Sequence, residues 1–124
     1  MTSTVRKVER GDVVLLPISF VSGIGSKVRP AVVLQNDTLN GKLNSSIVAI
    51  ITSTNTRAAM EPSQLYIEIS SPDGRATGLL HNSTVKCEHL DTIDQRDIHR
   101  VIGNFSDALM SRVETCVAVA LELK

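Results

Sequence analysis

Aromatic side chains are almost missing from this chain: no tryptophan, 1 tyrosine and 2 phenylalanines in 124 residues. With only Phe20, Tyr66 and Phe105 there is no run of rings on which successive bases would stack, which disfavours a general single-strand binder. Cysteine is scarce as well. Cys87 and Cys116 form neither a disulfide framework nor a four-ligand zinc site, and they read as small buried hydrophobes. No apolar run approaches the roughly 20 residues of a membrane span. The N-terminal MTSTVRKVERGD has no apolar core behind its charges, so no signal peptide is expected and a reduced, cytoplasmic setting is the simplest reading. His81, His89 and His99 show no metal-ligand spacing, and Gly23-Ile24-Gly25 is too short for a phosphate loop.

Net charge is absent too: 13 basic residues meet 13 acidic ones. The balance is uneven along the chain, with 7 basic and 3 acidic residues up to Arg57 and 6 against 10 after it. If the fold separates the halves, the front would face an anion.

What is present is a globular composition, 42% hydrophobic and 21% charged, at the length of one domain spanning residues 1–124. Strands are expected at 12–17 (DVVLLP), at 31–35 (AVVLQ, apolar enough for burial on both faces), at 46–52, at 64–69 and at 83–89, with 90–93 extending the last. The alternation in 64–69 sets Leu65, Ile67 and Ile69 against Tyr66 and Glu68. A glycine- and serine-bearing connection over 18–30 predicts a mobile flap, and 70–75 reads as a turn. Asp94 is read as the cap of a short helix over 95–102 ended by Gly103, and Ser106 as the cap of a helix over 107–123. Its apolar stripe takes Leu109, Met110, Val113, Cys116, Val117, Ala120 and Leu121. Strands first and helices last predict an α+β fold built on a small curved antiparallel sheet or barrel.

Few residues invite chemistry. Arg29-Pro30 places a permanent cation where the glycine loop enters the second strand, suited to gripping a phosphate. Thr52-Ser53-Thr54 ends the third strand with hydroxyls able to donate to phosphate oxygens or to form local turn bonds. Cys87 and His89 alternate on one strand, which would put both on one face as a thiol–imidazole pair, though no third residue orients them.

The order of these blocks is more telling than any of them alone. RGDVV at 10–14, VRPAVVLQND at 28–37, IVAIITS at 47–53, GLL at 78–80 and LDTID at 90–94 follow one another through nearly the whole chain. This series resembles the MazF/PemK family of toxin endoribonucleases from type II toxin–antitoxin modules. The resemblance implies an SH3-like barrel (MazF/CcdB/PemK-like) with a C-terminal helix, a homodimer, and a cognate antitoxin with an acidic tail. It also implies sequence-specific cutting of single-stranded RNA without a metal or other cofactor, by attack of the RNA's own 2′-hydroxyl, leaving a 2′,3′-cyclic phosphate or 3′-phosphate and a 5′-hydroxyl. Carried over by position, Arg29 and Thr52 are the catalytic pair, and Lys27, Ser53, Thr54, Glu88 and His89 contact RNA under a flap over 20–28. His89 stands where glutamine is frequent and Asp91 where arginine is, departures that bear on the target sequence. Two readings compete: a CcdB-like barrel that binds gyrase and cleaves nothing, and a non-catalytic RNA- or protein-binding barrel. The retained Arg29 and Thr52 weigh against the first.

Overall fold

A computed structural model describes residues 7–19, 26–53 and 61–124. Six strands of these residues form one sheet: β1 (Asp12–Ser19), β2 (Ser26–Val33), β3 (Ser45–Ser53), β4 (Gln64–Ile67), β5 (Ser83–Asp94) and β6 (Arg100–Asn104). Their order is β4-β5-β3-β2-β1-β6, every neighbouring pair is antiparallel, and the sheet curls into a half-barrel. Among the described residues three α-helices accompany it: α1 (Asp37–Lys42), α2 (Pro72–Ala76) and α3 (Asp107–Leu121).

Strand alternation gives the curl two apolar faces. One carries Val13, Val32, Ala49, Ile51, Leu65, Ile67, Val85 and Cys87, and is covered by Leu109, Met110, Val113 and Cys116 of α3. The other carries Val14, Leu16, Ala31, Val33, Val48 and Ile50, closed by Val8, Ile93 and Ile98. The central strands are buried on both faces, as their continuous apolar run predicts. A buried polar knot ties α1 to the sheet. The Ser46 hydroxyl and the Gln35 amide donate to Asn40 Oδ1 at 2.7 and 3.0 Å, and Gln95 Oε1 accepts from the Val8 amide at 3.0 Å. No helix among the described residues is long and apolar enough to cross a membrane.

Several local expectations are corrected. The 95–102 helix does not form. Asp94 does cap, accepting from the Arg96 amide, but only a 3₁₀ turn over Gln95–Asp97 follows. Residues 100–104 then become β6, because β1 has an open edge whose amides and carbonyls need partners and the β-branched Val101 and Ile102 suit a strand. Gly103 serves close packing, since a Cβ there would run into Thr77 of the neighbouring segment. The turn at 70–75 is instead the start of α2, N-capped by Ser71 with Pro72 in its first turn. α1 is capped by Asn36, whose side chain accepts from the Leu39 amide. β4 stops at Ile67. Leu121 is exposed at the end of α3, where Glu122 adopts the left-handed conformation.

Candidate active site

Arg29 lies inside β2, not at a loop boundary. The β1–β2 ladder continues outward to Ser19 opposite Ser26, so seven residues of the expected 18–30 connection have partners or lie in strand. Leu16 pairs with Arg29, and Leu15 with Pro30. Pairing of β2 with β3 begins only at Ala31, just past Pro30, which has no amide to give to a ladder.

The register sets what meets Arg29. Ala31 stands opposite Ile50, and both point to the face opposite α3. Two residues further along each strand, on that same face, are Arg29 and Thr52, both half-buried. Thr52 is also paired with Thr84 of β5. Lys27, two residues out from Arg29, shares this side and is exposed. Ser53 does not share it. It follows Ile51 onto the α3 side, so it is separated from the Thr52 hydroxyl by the sheet itself. Thr54 and most of the 20–28 flap lie outside the described residues.

Glu88 and His89 sit in a break in the β3–β5 ladder. Ala49 pairs with Leu90 while the next residue, Ile50, pairs with Lys86, which leaves residues 87–89 bulged out of register. The bulge holds Glu88 against β4, where its carboxylate accepts from the Ser63 hydroxyl at 2.9 Å and the Gln64 amide at 2.8 Å. Partial burial pushes the Glu88 carboxyl up. The hydrogen bonds from Gln64, its own backbone amide and Ser63, with the Lys86 charge, outweigh that and leave it below the ordinary range.

The same bulge overturns the expected Cys87–His89 pair. Cys87 is wholly buried against α3 and His89 is exposed, because the extra residues break strand alternation. Burial pushes the Cys87 thiol up to about 12, with the neighbouring Cys116 and Glu88 adding to it. Burial also raises Cys116. A thiol held protonated is no nucleophile, so both cysteines are the small core hydrophobes their surroundings need.

A cleft of about 550 Å³ opens beside the Arg29 end of the sheet. Its lining takes Ile51, Ser53 and Ser83 from the α3 side of the sheet together with Arg29, Leu80, His81 and Arg100; Thr52, on the other face, is not among them, and no carboxylate is. His81 and Arg100 escaped sequence reasoning as site residues. Arg100 was hidden in the expected helix, and residues 78–81 reach the cleft only because Gly78, at φ +75°, packs against the Ile102 backbone of β6. Among the described residues no group of His, Cys, Asp and Glu is placed to hold a metal ion. What the site can do is grip and polarise a phosphate: a guanidinium and a hydroxyl on one face, with a cation outward of them.

Comparison with known proteins bears on the fold and on the family. A family model described as PemK-like, MazF-like toxin of type II toxin-antitoxin system matches residues 9–121. Endoribonuclease EndoA of Bacillus subtilis (strain 168) is 32% identical over 119 residues, covering 94% of this chain and 96% of that protein. An endoribonuclease in complex with its cognate antitoxin from a mycobacterial species superposes with a TM-score of 0.74 at 18% identity, over 94% of this chain and 97% of that one. A MazE–MazF complex from Deinococcus radiodurans gives 0.72 at 18% identity, over 95% and 99%. At that identity the solved structures speak for the fold, and the family match and the EndoA relative speak for descent. The chain belongs to the PemK-like, MazF-like toxin family of type II toxin–antitoxin systems.

Proposed function

We propose that this toxin is an endoribonuclease that cuts single-stranded RNA at short sequences, with Arg29 and Thr52 as its catalytic residues and without a metal. The observation that carries the residue assignment is the β2–β3 register, which sets both side chains on one face next to each other. The name of the EndoA relative supports the activity. The RNA's 2′-hydroxyl attacks the adjacent phosphorus. A bond from O2′ forms, the bond to O5′ breaks, and negative charge gathers on the non-bridging oxygens in between. The proton of the 2′-hydroxyl passes to water, the always-charged Arg29 guanidinium stabilises the gathering charge with parallel N–H donors, and its hydrogen bond to the departing 5′-oxygen assists that oxygen in taking a proton from solvent. The Thr52 hydroxyl donates to a non-bridging oxygen. Pre-aimed donors of this kind are worth several kcal/mol each, ~2.7–4 where one has been removed from an oxyanion site.

Lys27 draws the strand in and Thr54 follows Thr52 as a further RNA contact, whereas Ser53 faces the other side of the sheet and drops out of this groove. Glu88, held by Ser63 and Gln64, presents a fixed acceptor to a base edge, and His89 beside it sets target choice where the family more often has glutamine. The chain works in the cytoplasm as one domain and as a homodimer, and a cognate antitoxin with an acidic tail holds it inactive. The mycobacterial relative was solved with its cognate antitoxin. Exposed Val28 and Leu80 beside the cleft, and Val119 and Leu121 at the end of α3, leave apolar surface for such contacts.

The test is cleavage of a long single-stranded RNA in EDTA by antitoxin-free protein, beside Arg29→Ala and Thr52→Ala. Discrete cuts with 5′-hydroxyl ends, lost in both variants, are expected. No cutting by a folded wild type would overturn the assignment and leave a gyrase-binding or purely RNA-binding barrel.

A further inference from the structure

The chain's single tyrosine stands in line with the catalytic pair. Thr52 of β3 is paired with Thr84 of β5, and Thr84 with Tyr66 of β4. With Arg29 beside Thr52, one transverse row runs Arg29, Thr52, Thr84, Tyr66 over four neighbouring strands. The face is fixed. Leu65 and Ile67 on either side of Tyr66 are buried in the α3 core, so the ring projects from the opposite side, the one Arg29 and Thr52 occupy. At ordinary strand spacing Tyr66 is roughly 10 Å from Thr52. Between them in the row stands Thr84, a short side chain that is 5% exposed and so packed over by its neighbours. Lys86, half-buried and paired with Gln64, adds a cation in the adjacent row on the same side.

We propose that Tyr66 is a base-stacking residue of the RNA groove, receiving a base of the same strand whose scissile phosphate sits at Arg29 and Thr52. The inference rests on the endoribonuclease reading. A strand that presents phosphate to the guanidinium end of the row lies along it toward the ring, within a nucleotide or two. The ring offers a half-exposed aromatic body with a polar tip, the surface a base stacks on without regard to its identity. Tyr66 therefore positions substrate and is not a catalytic residue. The scarcity of aromatics noted in the sequence makes this one ring the only stacking surface that the described part of this face carries.

The scarcity also supplies the readout. With 1 tyrosine and no tryptophan, intrinsic emission reports Tyr66 alone. Thr52→Ala protein is titrated with a short unstructured RNA, and quenching that saturates with binding is expected. On that background Tyr66→Leu, which keeps apolar bulk on an edge strand, binds about tenfold more weakly, and Tyr66→Phe stays within about twofold. In otherwise wild-type enzyme Tyr66→Leu raises KM by about the same tenfold and leaves kcat within about twofold, a split that general destabilisation does not produce. RNA binding with unchanged emission, or a Tyr66→Leu protein that binds like its parent, overturns the proposal and leaves the ribonuclease reading standing. Quenching by an acidic peptide but not by RNA reassigns the ring to a protein partner and overturns it too. A wild type that neither binds nor cuts RNA removes the ribonuclease reading and this inference with it.

Discussion

At Arg29 the backbone is held by Leu16 on one side, and the ladder to β3 starts two residues on at Ala31. A guanidinium on so constrained a stem loses little freedom on meeting a phosphate, and its planar fork matches two oxygens at once. Lysine at this position keeps the charge and loses the fork. Arg29→Lys is therefore expected to cut RNA about 10²-fold more slowly in single-turnover assays while unfolding at the wild-type temperature. Near-wild-type cleavage would mean that charge alone suffices. Asp94 offers a cleaner electrostatic readout. Hydrogen bonds from the Arg96 side chain, then from its backbone amide, hold the Asp94 carboxyl down at about 2. A value depressed in the folded state means that the pair's contribution is complete above the ordinary carboxylate range near ~4 and is lost as pH falls through about 2. Carboxyl-carbon NMR should place its titration near 2, and Asp94→Asn should flatten the stability profile across that acid window.

At the scale of elements, the proposed site is shaped by departures from regular pairing. The 87–89 bulge in β5 sinks Cys87 and lifts Glu88 toward Ser63 and Gln64. The segment over 78–81 is held at the cleft by backbone contact, with Gly78 at a positive φ and its α-carbon against the Ile102 carbonyl. Any Cβ there meets that carbonyl, and the conformation itself disfavours an L side chain. Gly78→Ala should cost about 2 kcal/mol or more, read as a lowered urea midpoint with unchanged slope. It should also weaken cleavage, since His81 and Leu80 move with the segment. A variant as stable as wild type would show that this wall yields easily.

For the whole molecule, chain order and spatial order disagree. The basic front half supplies β1, β2 and β3, which lie in the middle of the sheet, while strands of the acidic back half flank them on both sides. Arg10 of the front bridges Glu114 of the back at 2.7 Å. The fold thus encloses the basic half between parts of the acidic half instead of setting the two on opposite sides, and the expected basic front becomes a local patch of Lys27, Arg29 and Lys86 on one face. A patch of three cations sets the ionic character of RNA binding. The logarithm of the binding constant should fall against the logarithm of salt with a slope of about −2. A slope near zero would remove that patch from the interface, and a much steeper one would require cations from elsewhere or from a second subunit.

Sequence alone carried the α+β class, the strand positions of the central sheet, the caps at Ser106 and Asp94, and the family, because these rest on local periodicity, short-range capping chemistry and ordered blocks. It also pointed to Arg29 and Thr52 as chemically apt residues. That they share a face, that Ser53 does not, that 100–104 is a strand and that Tyr66 falls in line with the pair were decided by tertiary structure. Each depends on which strand lies beside which and in what register. Register is a property of paired chains: a slip of one residue turns every side chain over, and bulges such as that at 87–89 reset it in ways that no single strand's pattern records.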